Sequence, residues 1–220
     1  MKPELEQKRP RTASKAVRRR QLIEATIESI ARHGLSGTTM ATVTGIADLS
    51  MGIVSFHFKS KENLLKETLT FLAQEHRSCW MTRLEASDQS PGGQLRAIVE
   101  AHFDPSICTP DRIAVWFAFF GEMRYRRTYR ERISEFDRER QRRTEDLCRL
   151  LIAAEGPNYL DAAEVAEALE SFADGLWLNI MLYPECLSPE SARNHIHAYL
   201  AGMFPASFGR RSPVSIRSVG

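Results

Sequence analysis

The run TTMATVTGIADLSMGIVSFHFKSKENLL, residues 38 to 65, decides how this chain reads. Thr38 or Thr39 offers an N-cap hydroxyl, and Met40, Val43, Ile46 and Ala47 then fall on one face of a two-turn helix. Asp48 ends that helix, and Leu49 is expected to plug the turn. Ser50 can cap a second short helix running to about His57. Ser60 can cap a third, long one whose first turn holds Glu62 and Asn63. The second helix is odd by composition. Gly52 and the β-branched Ile53 and Val54 are poor helix formers. Yet Ser50, Ser55, His57, Ser60 and Lys61 crowd hydrogen-bonding groups onto this one segment. Two short helices joined by a turn of three to four residues match a helix-turn-helix pattern, in which the second helix enters the DNA major groove. Two short core helices of any all-α protein would match it as well.

Charge distribution sharpens the choice. Residues 1 to 61 hold eleven Lys or Arg against five Asp or Glu, a balance of +6, so the remainder carries −4 of the overall +2. A basic N-terminal third on a mildly acidic body fits a polyanionic partner. At 220 residues, 43% apolar and 26% charged, the chain is long and apolar enough to bury a real core. Cys79, Cys108, Cys148 and Cys186 are far apart and read as reduced thiols rather than ligands or bridges. The first twenty residues are charged and resemble no signal peptide, and no run approaches the roughly 20 apolar residues that span a bilayer. A cytoplasmic protein without membrane attachment is expected.

Along the chain, residues 1–15 read as a flexible basic arm. Helical spacing from Ala16 to His33 (Val17, Leu22, Ile23, Ile27, Ile30) predicts a helix with Gly34 as its terminator. Past a loop at 87–93, helices are expected over roughly 94–103, 111–126, 128–155, 161–182 and 189–203, with Pro157, Pro184 and Pro189 at junctions. The Pro-, Ser- and Arg-rich residues 205–220 read as a disordered tail. The fold class is therefore all-α with about nine helices: a three-helix helix-turn-helix DNA-binding domain over 16–62, and a helical ligand-binding and dimerisation domain over 63–204.

Residues 18 to about 70 resemble the N-terminal domain of the TetR family of bacterial repressors. The family pattern is Ala-Gly-Val-Ser, then x-Gly-x-x-Tyr-x-His/Tyr-Phe, then x-x-Lys-x-x-Leu. Here it reads Ala47-Asp48-Leu49-Ser50, Gly52, Ser55, His57-Phe58, Lys61 and Leu64. Asp48 replaces the usual turn glycine and can tolerate a left-handed backbone. Ser55 replaces the usual tyrosine, which shortens or removes one phosphate contact. The resemblance implies base-edge contacts near Met51, Gly52 and Phe56, and phosphate contacts from Thr39, Ser50, Ser55, His57 and Lys61. His57 has no second ligand nearby in sequence, so a hydrogen-bonding role is preferred to a metal site. The basic arm (Lys8, Arg9, Arg11, Lys15, Arg18, Arg19, Arg20) serves equally as a solvated tail or as a strand along the DNA.

The later stretches AVWFAFFGEM (114–123) and SFADGLWLNIML (171–182) resemble the BetI branch of that family, which controls conversion of choline to glycine betaine. On helices, Trp116, Phe120 and Met123 share one face, as do Glu170, Asp174, Trp177 and Met181. A carboxylate beside Trp suits a quaternary ammonium, but aromatic stripes of this kind serve plain cores equally well. Trp116, Phe120, Asp174 and Trp177 are the candidate inducer contacts, with choline or betaine aldehyde first and another hydrophobic ligand of an efflux or catabolic operon as the alternative. Residues 124–143 are charge-dense and mixed in sign, which reads as a solvated helix face. The last two helices carry more apolar residues than one interior needs. The resemblance implies a four-helix homodimer interface there, with Phe172, Leu176, Ile180, Ile196 and Leu200 as candidates and a palindromic double-stranded operator as partner. No catalytic triad, phosphate-cradling glycine loop, metal-spaced cluster or cofactor motif is present in the sequence, so neither enzyme chemistry nor a cofactor is expected.

Overall fold

The computed structural model describes residues 14–124, 126–155 and 159–209. Ten helices and no strand occur among them, one helix more than the expected nine. In chain order these are α1 (Lys15–Gly37), α2 (Met40–Ala47), α3 (Met51–Phe58), α4 (Lys61–Glu85), α5 (Pro91–Ala101), α6 (Pro110–Met123), α7 (Arg127–Glu155), α8 (Ala162–Leu182), α9 (Pro189–Met203) and α10 (Pro205–Phe208). They form two units, Met1–Thr68 and Leu69–Gly220, so the boundary falls inside α4 rather than after residue 62. The arm expected over residues 1–15 lies almost wholly outside the described residues.

The first unit follows its local signals closely. Ser14 caps α1 through Val17 N, and Gly34 breaks the helix at φ +67°, a backbone that L side chains adopt only under strain. Val17, counted in the apolar stripe, is 54% exposed, because it lies on the first turn before the core begins at Leu22. Thr39 and Thr42 form a reciprocal capping box on α2. Asp48 then takes φ 50° and ψ 48°, the left-handed turn that its short side chain tolerates. Leu49 is only half-buried, so the turn is closed less by a plug than by Leu49 N donating to Thr44 O at 3.1 Å. The two short helices meet at 115°. An eight-residue helix is marginal alone. Here α3 is held by Val54 and Phe58, at 0% and 3% exposure, each worth about 2–3 kcal/mol of burial.

In the second unit four helix starts carry a side-chain cap: Ser90 for α5, Thr109 for α6, Asp161 for α8 and Ser188 for α9. Pro91, Pro110 and Pro189 sit in the first turn, where their missing N–H costs nothing. The expected tail needs correction at its start. Residues 205–208 form α10, and Phe208 is buried beneath the Arg96 guanidinium, 4.8 Å from its ring. Glu155 takes the Ala206 N–H at 2.6 Å and also the Ser207 hydroxyl, which secures the turn. Residues 210–220 lie outside the described residues. Among the described residues no single helix is long and apolar enough to cross a membrane.

A helix-turn-helix face and an aromatic, acidic cavity

Burying Val54 and Phe58 turns the opposite side of α3 outward. Ser50, Met51, Gly52, Ser55 and Phe56 are all exposed, Met51 at 47% and Phe56 at 69%. Exposed apolar side chains of that size on a recognition-type helix are available to base edges and thymine methyls. Ser50 makes no side-chain capping bond to α3, so its hydroxyl is uncommitted there. A Cβ at Gly52 would meet only Ser50 Oγ, at 3.8 Å, so packing within the protein does not require glycine at this position. Lys15 lies over the Phe56 ring at 5.4 Å and brings positive charge to the same surface. His57 is half-buried, and its Nδ1 has no partner among the described residues. Burial first, then Lys15 and Arg19, lower its pKa below the usual histidine value.

Two expected phosphate ligands are already engaged. Thr39 is exposed, and its hydroxyl accepts Thr42 N at 3.0 Å while donating to Thr42 Oγ1 at 3.4 Å, a long bond that a phosphate oxygen would have to replace. Lys61 donates to Leu35 O at 2.8 Å and Ser36 O at 3.4 Å, the open carbonyls at the end of α1. A single ammonium N–H remains for a phosphate. Lys61 thus first closes the bend that Gly34 opens, a role invisible in its own sequence neighbourhood.

In the second unit, α4, α6, α7 and α8, with His102 just past the end of α5, line a cavity of about 560 Å³. All four candidate ligand contacts, Trp116, Phe120, Asp174 and Trp177, line it together, as does Met123. Trp116 and Phe120 pack ring to ring at 5.7 Å. Trp177 is fixed by donating Nε1–H to His102 O at 2.8 Å. Asp174 opens into the cavity with no ion pair of its own among the described residues. Burial within the surrounding protein, and then the Glu170 charge, raise its pKa to about 6, against the pull of Arg140.

Several groups here escape a sequence reading. Charge pattern alone puts Arg140 on a solvated face, but its side chain is only 13% exposed and grips Glu170 through two nitrogens at 2.8–3.1 Å. Asp137 sits 3.4 Å away on the same guanidinium, and burial raises its pKa. The charge-dense helix α7 therefore turns an acid–base pair inward, because i and i+3 share a face. His76 and His102, single histidines on otherwise ordinary helices, are buried edge to face at 4.7 Å beside Trp177. The Trp116–Phe120–Met123 and Glu170–Asp174–Trp177 spacings carried the signal for this site.

The expected dimer contacts need correction. Leu176 and Ile180, at 5% and 4% exposure, and Ile196 and Leu200, both at 0%, lie in the interior of the protomer. On α8, positions 165, 169, 176 and 180 all fall on one stripe, so they serve a single interior rather than two. Phe172 is half-buried against the Tyr199 ring at 5.5 Å. The outward apolar residues of α8 and α9 are instead Leu178, Leu182 and Tyr199, at 38%, 52% and 41% exposure.

A three-helix unit built on a turn between two short helices, with a charged and aromatic outer face, defines a helix-turn-helix DNA-binding regulator. Comparison with known proteins makes this specific. Residues 22–68 match the family described as bacterial regulatory proteins, tetR family, and residues 91–205 match the BetI-type transcriptional repressor C-terminal domain. The HTH-type transcriptional regulator BetI of Burkholderia mallei is 33% identical over 195 residues, covering 87% of this chain and 95% of the relative. The BetI regulator of Burkholderia cenocepacia is 31% identical over 191 residues, 87% of this chain and 96% of its own. Among solved structures, a protein of Pseudomonas aeruginosa PAO1 described as a transcriptional regulator shares the fold at TM-score 0.76 and 23% identity, covering 90% of this chain and 95% of its own. A regulator from Saccharomonospora viridis solved in complex with choline shares it at TM-score 0.70 and 19% identity, covering 84% of this chain and 96% of its own. The chain belongs to the TetR family of transcriptional regulators and carries a BetI-type C-terminal domain.

Proposed function

We propose that this chain represses transcription by binding a palindromic operator as a homodimer, and that a small organic cation, choline or betaine aldehyde first, releases it. One observation supports the ligand class above the others: two tryptophans, a phenylalanine and a carboxylate without an ion pair of its own line one cavity. An aromatic face attracts a quaternary ammonium with up to about 2 kcal/mol when water is excluded, and a carboxylate balances its charge. A BetI-type domain and a choline-bound structural relative agree with that chemistry.

On the DNA side, Met51, Gly52 and Phe56 meet base edges, while Thr39, Ser50, Ser55, His57 and the remaining N–H of Lys61 reach phosphates. Leu178, Leu182 and Tyr199, with Phe172 at the edge, form the two-fold contact, replacing the buried residues of the same helices. Release is linkage. A ligand that prefers a conformation in which the two α3 helices no longer match major grooves about 34–36 Å apart weakens operator binding by its differential affinity.

Titration calorimetry and an operator-release assay test the ligand. Choline should bind the wild type and free the DNA, whereas Trp116→Leu should fold but bind choline about tenfold or more weakly, having lost one aromatic face. No choline binding up to about 10 mM, well above the weakest useful affinity, removes the cation assignment. Release by a neutral molecule instead leaves the repressor reading intact.

A further inference from the structure

The cation contacts leave one buried polar group in the cavity unexplained. His76 lines it at 6% exposure, and its Nε2 has no hydrogen-bond partner. Buried side-chain nitrogens are nearly always paired, so an unpaired one on a side chain that lines a cavity marks a place for a ligand atom. The ring is held in place. His102 packs edge to face on it at 4.7 Å, and Trp177 stands 6.0 Å away, itself locked to His102 O at 2.8 Å.

We propose that His76 reads the polar end of the inducer: the ligand is an organic cation that also carries a hydroxyl or carbonyl oxygen, and that oxygen hydrogen-bonds the His76 imidazole while the cationic head lies against Trp116, Trp177 and Asp174. The assignment rests on the cation reading of the cavity and adds to it the residue that selects among cations. Burial, His102 and Arg140 all favour the uncharged imidazole, holding its pKa well below the usual value. A neutral ring does not repel a cation, and it offers one acceptor and one N–H, so it can accept from an alcohol or donate to an aldehyde. Around it, Arg140 on α7 and Glu170 on α8 are bonded to each other, and the Trp177 indole N–H is taken by the His102 backbone carbonyl. They do not compete for the ligand's oxygen.

The experiment compares choline with the ethyltrimethylammonium ion, which lacks only the hydroxyl, by calorimetry on the full-length protein. Choline should bind about tenfold or more tightly, because the deoxy ligand leaves the imidazole unmet. His76→Leu should weaken choline to the level of the deoxy ion and leave the deoxy ion unchanged, and His76→Gln should restore part of the difference. Should His76→Leu fail to fold, the imidazole ¹⁵N resonances of the wild type decide the matter, since choline should shift those of His76 and the deoxy ion should not. Equal affinity for both ions in the wild type overturns the role of His76 and leaves the cation reading standing. Binding of neither ion overturns both.

Discussion

Asp174 is the residue on which the ligand chemistry turns, and its ionisation gives that chemistry a pH signature. Its pKa is raised to about 6 by burial and by Glu170. Relative to the unfolded chain, folding without ligand favours its protonated form, so by itself this group lets stability fall as pH rises from about 4 through about 6. A bound cation reverses the preference. Choline affinity should be nearly constant above about pH 7 and fall as pH drops through about 6, reaching about tenfold weaker near pH 5. His102, with a pKa of about 4, and His76, lowered well below its usual value, stay neutral over that range, and Glu170 is lowered and stays ionised. Asp137, raised by burial, can only add in the same direction. Calorimetry across the range, with Asp174→Asn as the control that flattens it, checks the assignment. A flat wild-type profile would place the carboxylate away from the cation.

At the scale of the element, α3 separates two demands that usually coincide. Its stability comes from Val54 and Phe58 on the inner side, and its outer side is free of packing constraints. Gly52→Ala should therefore raise thermal stability, by up to about 1 kcal/mol, since the added Cβ meets nothing nearer than Ser50 Oγ at 3.8 Å. The same methyl should lower operator affinity by about 1–3 kcal/mol, the usual size of one lost base contact, if the backbone approaches the bases there. A melting curve and a binding isotherm on one preparation test both halves. Higher stability with unchanged affinity would move Gly52 out of the interface. The capping residues of α2 and α4 were legible in the sequence, because a cap bond spans only two or three residues and Thr39 and Ser60 each stand directly before an apolar periodic run, whereas Ser50, expected to cap α3, makes no such bond.

For the whole molecule, assembly and operator binding should rise and fall together. Leu178→Asp puts a charge on the outward face of α8 and should give a folded monomer, detected by sedimentation, with weak operator binding because each half-site alone recruits little energy. Leu176→Asp, two residues earlier and 5% exposed, should instead unfold the body, since an unpaired charge in the interior has no compensation. A wild type that sediments as a monomer at micromolar concentration would exclude the dimer, and a folded Leu176→Asp monomer would return the interface to the residues first expected.

What the sequence alone determined is local in origin. Helix starts, the left-handed Asp48 turn, the break at Gly34 and the spacing of Trp116 with Phe120 or of Asp174 with Trp177 each depend on residues within two turns of one another. The tertiary structure decided whatever depends on which neighbour a face meets. It sent Lys61 to the carbonyls of Leu35 and Ser36 and turned Arg140 of a charge-dense helix inward onto Glu170. It also drew His76 and His102 together beside Trp177 and assigned Leu176 to the core but Leu178 to the surface. Periodicity tells that a helix has an apolar stripe. Which of several such stripes faces inward, and which buried charge finds a partner, is settled only by the packing of distant segments, whose favourable burial must exceed the cost of ordering them.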